Sequence, residues 1–388
     1  MPPMKLHLGL DARKLTDFGI GTYVGELLRG LEGSDECRLT VLARDGHEDR
    51  VKSLAPSARV LAVSAGEYSL AEHVKVPMAL WREPVDVLHV PHYVVPMWTR
   101  RLTVVTIHDV IQLFYPPEQR TQLALLYLRA MMRSTLRRAT RVITVSRTSR
   151  KDLINIFGAE PDKVRVVPNG VEPETANRPD AEVLDELRER LGLKSPLLLV
   201  VANDKTHKNL DMVLRSFHLA CVEHGLPGQL VFVGGVRPDG RLARRAEALG
   251  LADRVRFVGR VSRRDLRSLY HAAAVLLHVA LYEGFGLPVL EAMAAGLPVI
   301  TSNVGAMQEL GEGAARLVNP LDVREISNGM AVVLVDDPLR RRMIEAGRRK
   351  AQKLSWERTV ERTLEVYREA LESGAGRGTF GRFRREAR

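Results

Sequence analysis

Short apolar runs alternate with helix-like patterns along almost the whole chain, and this alternation restricts the fold more than any other feature. A strand that is buried on both faces has a continuous apolar sequence, and a helix follows it when the sheet is parallel. The runs in the first part of the chain are residues 5–10, 39–43, 85–90, 103–107, 141–145 and 164–167. Those in the second part are residues 197–201, 230–233, 255–258, 274–279, 299–302 and 316–318. The pattern therefore predicts an α/β protein with two doubly wound, Rossmann-like parallel sheets.

The length of the chain and one polar stretch divide it into domains. Its 388 residues exceed the ~250–300 residues at which single cores stop growing. Residues 172–180 are polar, contain prolines and have no periodicity, so we place a linker there. We expect an N-terminal domain over residues 1–173, a C-terminal domain over residues 181–355, and a disordered basic tail over residues 373–388. Because doubly wound sheets bind ligands at the carboxyl ends of their strands, we expect the two domains to face each other across a binding cleft.

One stretch, residues 281–298, combines a strand end, a glycine-rich turn and a helix start. Its sequence is LYEGFGLPVLEAMAAGLP, with Pro288 at the expected first helical position and Gly296 at the helix end. The N–H groups at such a helix start attract phosphate. Glu283 lies in the loop and Glu291 is expected in the first turn, where a carboxylate could hold the diol of a ribose. The alternative is that Glu291 only favours the helix dipole and that Glu283 is solvated.

Three other positions follow predicted strands, where a ligand is expected. Gly19 and Gly21 follow the first strand and could let backbone N–H groups approach an anion, or could form a plain turn. The full G-x-G-x-x-G pattern is absent, because Gly25 comes one position late. His108 ends the strand at 103–107 and can bond a sugar hydroxyl or a backbone carbonyl. Lys208 precedes a helix, in reach of a diphosphate, unless it is a simple exposed lysine.

Charge and composition exclude several kinds of site. The net charge of +11 permits attraction to nucleic acid, anionic lipid or a diphosphate. Aromatic residues make up 5% of the chain and do not alternate with basic ones, which disfavours nucleic acid. The sequence has no D-x-D pair for a metal–diphosphate site and no His/Cys spacing for zinc, so no metal is predicted. Two cysteines, no ~20-residue apolar run and no secretory signal favour a cytoplasmic protein.

A long helical pattern over residues 119–138 carries a row of basic side chains. Arg129, Arg133 and Arg137 are spaced by four residues and therefore share one helix face. Such a face is either simply solvated or a patch for anionic lipid or for a lipid-diphosphate acceptor. The second interpretation would place the protein peripherally at the inner face of a membrane.

The motifs together resemble those of a known family. Glu283 and Glu291, with seven residues between them including GFGLP, are similar to the E-x7-E signature of the retaining family 4 glycosyltransferases. The GIGTYVGELL, TIHD and HKN runs occur in the order typical of this family. The resemblance covers residues 5–371 and implies the GT-B fold, with a C-terminal helix over residues 356–372 packed on the first domain. It also implies transfer of a hexose from a nucleoside diphosphate sugar to a hydroxyl of a glycan, a lipid-linked acceptor or a small molecule, without a metal.

The resemblance assigns roles to individual residues. The catalytic candidates are His108, Glu283 and Lys208. The candidates for donor binding are Gly19, Gly21, Asn203, His207, Val261, Gly284, Phe285, Gly286, Leu287 and Glu291. Val261 is expected to meet the nucleobase through its backbone. His207 stands where many members have arginine, so it supplies a second contact either as a neutral donor or when protonated.

The same resemblance ranks substrates and leaves alternatives open. The first loop and the HKN turn are most similar to bacterial mannosyl- and rhamnosyl-type enzymes, which makes GDP-mannose the first expected donor and UDP-sugars the main rival. A sugar-nucleotide epimerase could share this architecture. A basic membrane- or nucleic-acid-binding protein would also explain the charge. A dehydrogenase is disfavoured because the dinucleotide fingerprint is broken.

Overall fold

The computed structural model describes residues 5–66, 69, 71–99, 101–116 and 121–375, and the chain forms two compact units. Unit 1 contains the chain up to Asn169 together with the segment that starts at Trp356. Unit 2 is Gly170–Ser355. Two chain crossings, one after Asn169 and one after Ser355, therefore connect the units.

Unit 1 is built on a parallel sheet of seven strands in the order β3-β2-β1-β4-β5-β6-β7. The strands are β1 (Leu6–Asp11), β2 (Cys37–Arg44), β3 (Arg59–Val63), β4 (Val87–Val90), β5 (Leu102–Thr106), β6 (Arg141–Thr144) and β7 (Val164–Val166). The helices before the second unit are α1 (Phe18–Glu32), α2 (Glu48–Leu54), α3 (Glu72–Ala79), α4 (Ile111–Phe114), α5 (Gln122–Arg138) and α6 (Arg147–Phe157). The central strands β1, β4 and β5 are buried almost throughout, as their apolar sequences require.

Strand β3 was not predicted from the sequence. It lies at the edge of the sheet, paired only with β2 in the described part of the chain, and only Val63 of its five residues is buried. An edge strand needs neither a continuous apolar run nor a clean alternation, so its sequence carries little signal.

Unit 2 is built on a parallel sheet of six strands in the order β10-β9-β8-β11-β12-β13. The strands are β8 (Leu197–Asn203), β9 (Gln229–Gly235), β10 (Val255–Gly259), β11 (Val275–His278), β12 (Val299–Ser302) and β13 (Arg316–Val318). The helices are α7 (Ala181–Leu191), α8 (Leu210–His224), α9 (Arg241–Ala248), α10 (Arg263–Ala272), α11 (Leu287–Ala295), α12 (Gly305–Gly311), α13 (Val323–Val335) and α14 (Asp337–Gln352). Its core joins the inner faces of the strands to α8 and α13, with Phe217, Phe232 and Met330 fully buried.

The polar stretch that we predicted as a linker is partly structured and belongs to unit 2. Pro173–Ala176 forms a 3-10 helix. The carboxylate of Glu172 forms ion pairs with Arg263 and Arg267 of α10. His271 donates from Nε2 to the carbonyl of Thr175 at 3.0 Å. These contacts anchor the stretch because its polar groups find partners on α10, which the sequence does not reveal.

The last helix, α15 (Trp356–Ala375), packs on unit 1 against α1 and strands β4 to β6. Tyr367 is fully buried, and its hydroxyl lies 2.7 Å from Nδ1 of His89. The helix extends past the predicted end at residue 372 to Ala375, and the rest of the predicted tail, residues 376–388, lies outside the described residues. In the part of the chain that the structure describes, no helix combines the length and apolarity needed to cross a membrane.

Candidate functional site

The predicted donor-site residues of unit 2 gather at the carboxyl ends of β8 and β11, which are neighbours in the sheet. The loop after β8 carries Lys208, and the loop after β11 carries Glu283. A hydrogen bond from the backbone N–H of Leu281 to the carbonyl of His207, at 2.8 Å, holds the two loops together. Asn209, in the left-handed backbone conformation with φ of 59°, fixes the first loop by donating to the carbonyls of Val279 and Pro320.

Lys208 and Glu283 form an ion pair at this edge. His278, the last residue of β11, places its Nε2 3.2 Å from the same oxygen of Glu283. Burial raises the pKa of Glu283, but the charge of Lys208 and the hydrogen bond from His278 outweigh burial and hold this pKa below its usual range. Glu283 is therefore ionised at neutral pH and is oriented by two partners.

Helix α11 begins beside this pair, directly after Gly286. Any other residue at this position would require the neighbouring Met307 side chain to move. Gly286 has a φ of 96°, and a Cβ at this position would lie 2.3 Å from Cε of Met307. Gly286 is the N-cap and has no side chain to cap the helix. Pro288 has no N–H, and the N–H of Val289 donates to the carbonyl of Gly286 at 3.0 Å, so the first turn can offer an anion the N–H of Leu287. The helix starts at Leu287, so Pro288 is its second residue and not its first as predicted.

Glu291 is the fifth residue of α11, which corrects our prediction of a first-turn position. The hydroxyl of Tyr270 on α10 donates to its Oε2 at 2.7 Å. Burial raises the pKa of Glu291 to about 7, although the bond from Tyr270 and the nearby Arg263 act in the opposite direction. The carboxylate is thus held by a tertiary hydrogen bond and not by the helix dipole, which acts on the first turn only.

The other predicted donor-site residues of unit 2 lie around this group. Burial lowers the pKa of His207 to about 4, so this ring is neutral at pH 7 and supplies no fixed positive charge. Asn203 ends β8, and its buried Oδ1 has no hydrogen-bond partner among the described residues. Val261 is half-buried between β10 and the start of α10. Gly284 and Phe285 are buried in the loop before α11.

Unit 1 holds His108 at the carboxyl end of β5, as predicted. Its ring packs edge-on against Tyr23, with 4.9 Å between the ring centroids. Burial lowers its pKa to about 4, while a hydrogen bond to the carbonyl of Pro91 acts in the opposite direction. Its buried Nε2 has no hydrogen-bond partner within the described ranges. The ring lines a cavity of about 90 Å³, together with Ile20, His92, Asp109 and Gln112. His108 is therefore neutral at pH 7, and its Nε2 can accept a hydrogen bond from a hydroxyl group.

Gly19 and Gly21 do not lie in a loop, which corrects our prediction. They are the second and fourth residues of α1, which begins at Phe18. The segment before α1 folds back so closely that a Cβ on Gly21 would lie 2.5 Å from the carbonyl oxygen of Leu15. This close approach accounts for glycine at position 21. A contact of this segment with an anion would come from the N–H groups at the start of α1.

Several side chains of the site carried no usable sequence signal. Tyr270 is one of many residues in a helical pattern, and only the tertiary fold brings it to Glu291. His278 could have been found, because it is the last polar residue of the predicted strand 274–279, five residues before Glu283. In unit 1, sequence analysis also missed a buried ionic group in which Arg13 contacts Asp11 at 2.6 Å and Glu72 at 3.3 Å.

The three predicted arginines of the long helix are exposed along α5. The helix begins at Gln122, and the predicted start at residue 119 lies outside the described residues. Within the described ranges, no group of three or more His, Cys, Asp and Glu side chains is arranged to hold a metal ion.

Comparison with known protein families shows where the chain belongs. The model for glycosyltransferase family 4 matches residues 19–175, and the model for glycosyl transferases group 1 matches residues 185–350. An O-antigen chain mannosyltransferase B from Escherichia coli is 30% identical over 286 residues, which are 73% of this chain and 74% of that protein. The chain belongs to the family 4 glycosyltransferases.

Other relatives of this glycosyltransferase match a shorter part of their own length. An MMP alpha-(1->4)-mannosyltransferase from Mycolicibacterium hassiacum is 30% identical over 62% of this chain and 57% of its own. A D-inositol 3-phosphate glycosyltransferase from Kineococcus radiotolerans is 35% identical over 61% of this chain and 59% of its own. The chain thus spans somewhat more than half of these two proteins.

Solved structures confirm the fold class. A sucrose-phosphate synthase from Thermosynechococcus elongatus superposes with a TM-score of 0.79 at 23% identity, covering 95% of this chain and all of that one. The HepE protein of Anabaena, solved in complex with UDP-glucose, superposes with a TM-score of 0.74 at 18% identity, covering 93% and 99% of the two chains. The glycosyltransferase therefore has the GT-B fold of two Rossmann-like domains, as predicted.

Proposed function

We propose that this family 4 glycosyltransferase is a retaining enzyme that moves a hexose from a nucleoside diphosphate sugar to a hydroxyl of a glycan, a lipid-linked acceptor or a small molecule. The observation that carries the proposal is the Lys208–Glu283–His278 group beside the start of α11. A cation and a helix N-terminus suit the two phosphates of a donor. An ionised carboxylate suits the hydroxyls of its sugar.

The proposed chemistry starts with an exchange of partners at Lys208. In the structure, this ammonium group is paired with Glu283. In the proposal, the diphosphate replaces Glu283 as the partner of Lys208. The oxygens of Glu283 then bind hydroxyls of the sugar, while His278 keeps Glu283 in place. Lys208 and the N–H of Leu287 at the start of α11 then stabilise the negative charge that develops on the departing diphosphate. This assigns to protein groups the charge stabilisation that a metal ion supplies in other enzymes.

Retention is proposed to follow from attack on the same face of the sugar from which the diphosphate leaves. The leaving phosphate oxygen accepts the proton of the acceptor hydroxyl, and the bond to the acceptor forms as the bond to the phosphate breaks. Glu283 serves as a hydroxyl contact in this scheme and not as a nucleophile. Trapping of a stable glycosyl-enzyme intermediate on Glu283 or Glu291 would overturn it.

His108 and Glu291 receive contact roles in the same proposal. The free Nε2 of His108 accepts a hydrogen bond from a sugar hydroxyl, which is the role that the sequence resemblance implies. Glu291 accepts hydrogen bonds from the ribose diol while Tyr270 holds its second oxygen. The backbone at Val261 is proposed to meet the nucleobase.

Mannose from GDP-mannose is the first proposed donor. Two of the relatives are named mannosyltransferases, at 30% identity each. UDP-sugars are the rival, since a solved structure with the same fold holds UDP-glucose. No side chain described above distinguishes the two bases, so the choice requires a binding experiment.

The first test is thermal stability in the presence of GDP-mannose, GDP, UDP-glucose, UDP-N-acetylglucosamine and UDP. A ligand that binds only the folded state at a concentration of about 100 times its Kd stabilises by about 2.7 kcal/mol. We expect this stabilisation with one base series only, and its loss in Glu291→Ala.

The matched control is Glu312→Ala, because Glu312 is an exposed glutamate of unit 2 outside the site. It should keep the full nucleotide response. An unaltered response in Glu291→Ala, or no response of the wild type to any nucleotide, would contradict the assigned site. Analysis of products without an acceptor separates transfer from epimerisation, because only an epimerase converts the donor into a second nucleotide sugar.

A further inference from the structure

Unit 1 contains three buried polar atoms that have no hydrogen-bond partner and that the proposed chemistry does not use. They are Nη1 of Arg13, Oε1 of Glu72 and the hydroxyl oxygen of Tyr127, and none of them forms a hydrogen bond within the ranges that the structure describes. Arg13 is 2% exposed and Glu72 is 1% exposed. Buried polar atoms are nearly always paired in folded proteins, so these three require an explanation.

The three side chains lie together at the carboxyl edge of the first sheet. Arg13 follows β1, and its Nη2 lies 2.6 Å from Asp11 and 3.3 Å from Glu72 in the first turn of α3. Burial raises the pKa of the half-buried Tyr127 on α5, and the charge of Glu72 adds to this effect. The Tyr127 hydroxyl is therefore close enough to Glu72 for the two groups to interact. Three segments that are distant in sequence thus contribute one unpaired atom each.

A cavity of about 90 Å³ adjoins these atoms, and it is lined by His92, Tyr93 and His108 among others. Nε2 of His92 lies 3.4 Å from Oδ2 of Asp11. Tyr93 also contributes to the raised pKa of Tyr127, after burial and Glu72. His92 and Tyr93 therefore connect the cavity to the unpaired atoms.

The cavity suits an acceptor because of its position beside His108. The proposed function binds a hydroxyl of the donor sugar at Nε2 of His108. The attacking hydroxyl of the acceptor must reach the anomeric carbon of the same sugar. The rest of the acceptor then extends from the cavity, and the unpaired atoms lie next to it.

The chemistry of the three atoms matches neighbouring hydroxyl groups. The guanidinium of Arg13 only donates, an ionised Glu72 only accepts, and the hydroxyl of Tyr127 can do both. A sugar hydroxyl also donates and accepts, so two or three hydroxyls of one sugar can pair with all three atoms.

The charges around these atoms disfavour a phosphate. Burial raises the pKa of Asp11, but the charge of Arg13 outweighs burial and holds this pKa below its usual range, so Asp11 is ionised. Asp11 therefore offsets the charge of Arg13, and an ionised Glu72 adds a second negative charge. A phosphate bound here would lie beside two buried carboxylates with one guanidinium to pair with.

We propose that Arg13, Glu72 and Tyr127 bind hydroxyls of the acceptor, and that the part of the acceptor bound there is an uncharged sugar. The inference rests on the proposed function, because it identifies the acceptor of that reaction.

The first test measures transfer to matched neutral and phosphorylated acceptors, with GDP-mannose and UDP-glucose as donors in separate series. Methyl α-mannoside is compared with its 6-phosphate, and methyl α-glucoside with its 6-phosphate. We expect kcat/KM to be at least about tenfold higher for the neutral member of a pair, because binding the phosphate would bury it beside the carboxylates.

Tyr127→Phe tests the binding role without disturbing the fold. The hydroxyl has no described partner to lose, so the thermal stability should not fall. We expect the KM for the neutral acceptor to rise about tenfold while the KM for the donor stays the same. A purely structural role of these atoms predicts no change in either KM.

Glu72→Gln tests the role of charge. The amide keeps the shape of the side chain and removes one negative charge. It should raise the KM for the neutral acceptor and reduce the preference over the phosphorylated one. Ser327→Ala is the matched control, because it removes another buried hydroxyl without a described partner, on α13 of unit 2. It should leave the KM for the acceptor unchanged.

Failure of this inference differs from failure of the proposed function. A wild-type protein that shows no nucleotide response and consumes no donor would overturn both. A wild-type protein that consumes donor but transfers at least as well to the phosphorylated sugars, or to neither kind of sugar, would overturn the inference alone. An unchanged KM for the acceptor in Tyr127→Phe would also overturn the inference alone.

Discussion

Glu291 shows how one carboxyl group can be set by its tertiary surroundings. Its sequence position suggested a first-turn residue stabilised by the helix dipole, but it lies one turn later and is held by Tyr270. Burial raises its pKa to about 7, so the proton that it binds must leave before the oxygen not held by Tyr270 can accept hydrogen bonds from both hydroxyls of a diol.

The stability of the free protein should therefore fall as pH rises through neutrality. The pKa of Glu291 is about 7 in the folded chain, against an ordinary value of 4.5 in the unfolded chain, so between these values the folded chain binds more protons than the unfolded chain. This group's contribution is full below pH 4.5 and is lost as pH rises through 7, with a size on the order of 3 kcal/mol. Denaturant unfolding at a series of pH values measures it.

Two variants separate this effect from the rest of the titration. Glu291→Gln should flatten the pH dependence between 4.5 and 7, since the amide does not titrate. Tyr270→Phe removes the donor that favours the ionised carboxyl and should move the loss to higher pH. A wild-type curve with the same shape as that of Glu291→Gln would mean that Glu291 titrates in its ordinary range.

Lys208 and Glu283 should have separable effects on binding. Lys208→Ala removes the proposed diphosphate contact and should weaken binding of the nucleoside diphosphate about tenfold, or ~1.4 kcal/mol. Glu283→Gln frees Lys208 from its present partner, so binding of the nucleoside diphosphate should stay the same or tighten while turnover of the nucleotide sugar is lost. Isothermal titration calorimetry and donor consumption give the two measurements.

Lys205→Ala is the matched control for the loss of charge. Lys205 is exposed in the same loop, three residues before Lys208. A loss of affinity in Lys205→Ala as large as in Lys208→Ala would show that the loop attracts the diphosphate only by its general charge.

At the scale of elements, the start of α11 requires glycine at position 286. One cause is the local backbone conformation, and the other is a tertiary contact. The φ of 96° at Gly286 disfavours any other residue, and Met307 occupies the place of a Cβ. Gly286→Ala should therefore destabilise the protein by more than the ~1 kcal/mol typical of a left-handed position, and should weaken nucleotide binding because the helix start shifts. Chemical denaturation and calorimetry measure the two effects.

Gly313→Ala isolates the local part of this effect. Gly313 has a φ of 71° and open space around its Cβ position, so the substitution costs only backbone strain. Gly286→Ala combined with Met307→Ala should recover part of the lost stability. Equal costs for Gly286→Ala and Gly313→Ala would exclude the contact with Met307 as a cause.

The elements show what the sequence could predict and what it could not. Buried strands such as β8 are continuous apolar runs and are readily found from the sequence. Helix starts at glycine-rich turns are poorly specified by sequence, because α1 begins at Phe18 and includes Gly19 and Gly21, which we predicted in a loop. Lys208 contacts Glu283 and Tyr270 contacts Glu291 from other elements, so local spacing identified the carboxylates but not these two partners.

At the scale of the molecule, α15 completes unit 1 through a buried polar chain. The hydroxyl of Tyr367 contacts Nδ1 of His89, and Nε2 of His89 lies 2.8 Å from the hydroxyl of Thr106. Burial lowers the pKa of His89 to about 3, so the chain is neutral. This arrangement ties the last helix to strands β4 and β5.

Tyr367→Ala should destabilise unit 1 by about 3–5 kcal/mol, the usual cost of truncating a buried aromatic side chain. Hydrogen exchange should accelerate in β1, β4 and β5 and stay unchanged in the strands of unit 2, which has its own core. Tyr367→Phe keeps the ring and should cost only the hydrogen bond, about 1 kcal/mol. Equal acceleration in both units would mean that they unfold as one.

The return of the chain to unit 1 has a consequence for its synthesis on the ribosome. Unit 1 lacks α15 until the whole of Gly170–Ser355 has been translated. Unit 2 comes second in the sequence, but it is therefore the first unit whose strands and helices have all been translated. While Gly170–Ser355 is being translated, the nascent unit 1 exposes the apolar surface that Tyr367 and its neighbours later cover. A chaperone is expected to bind such an exposed surface.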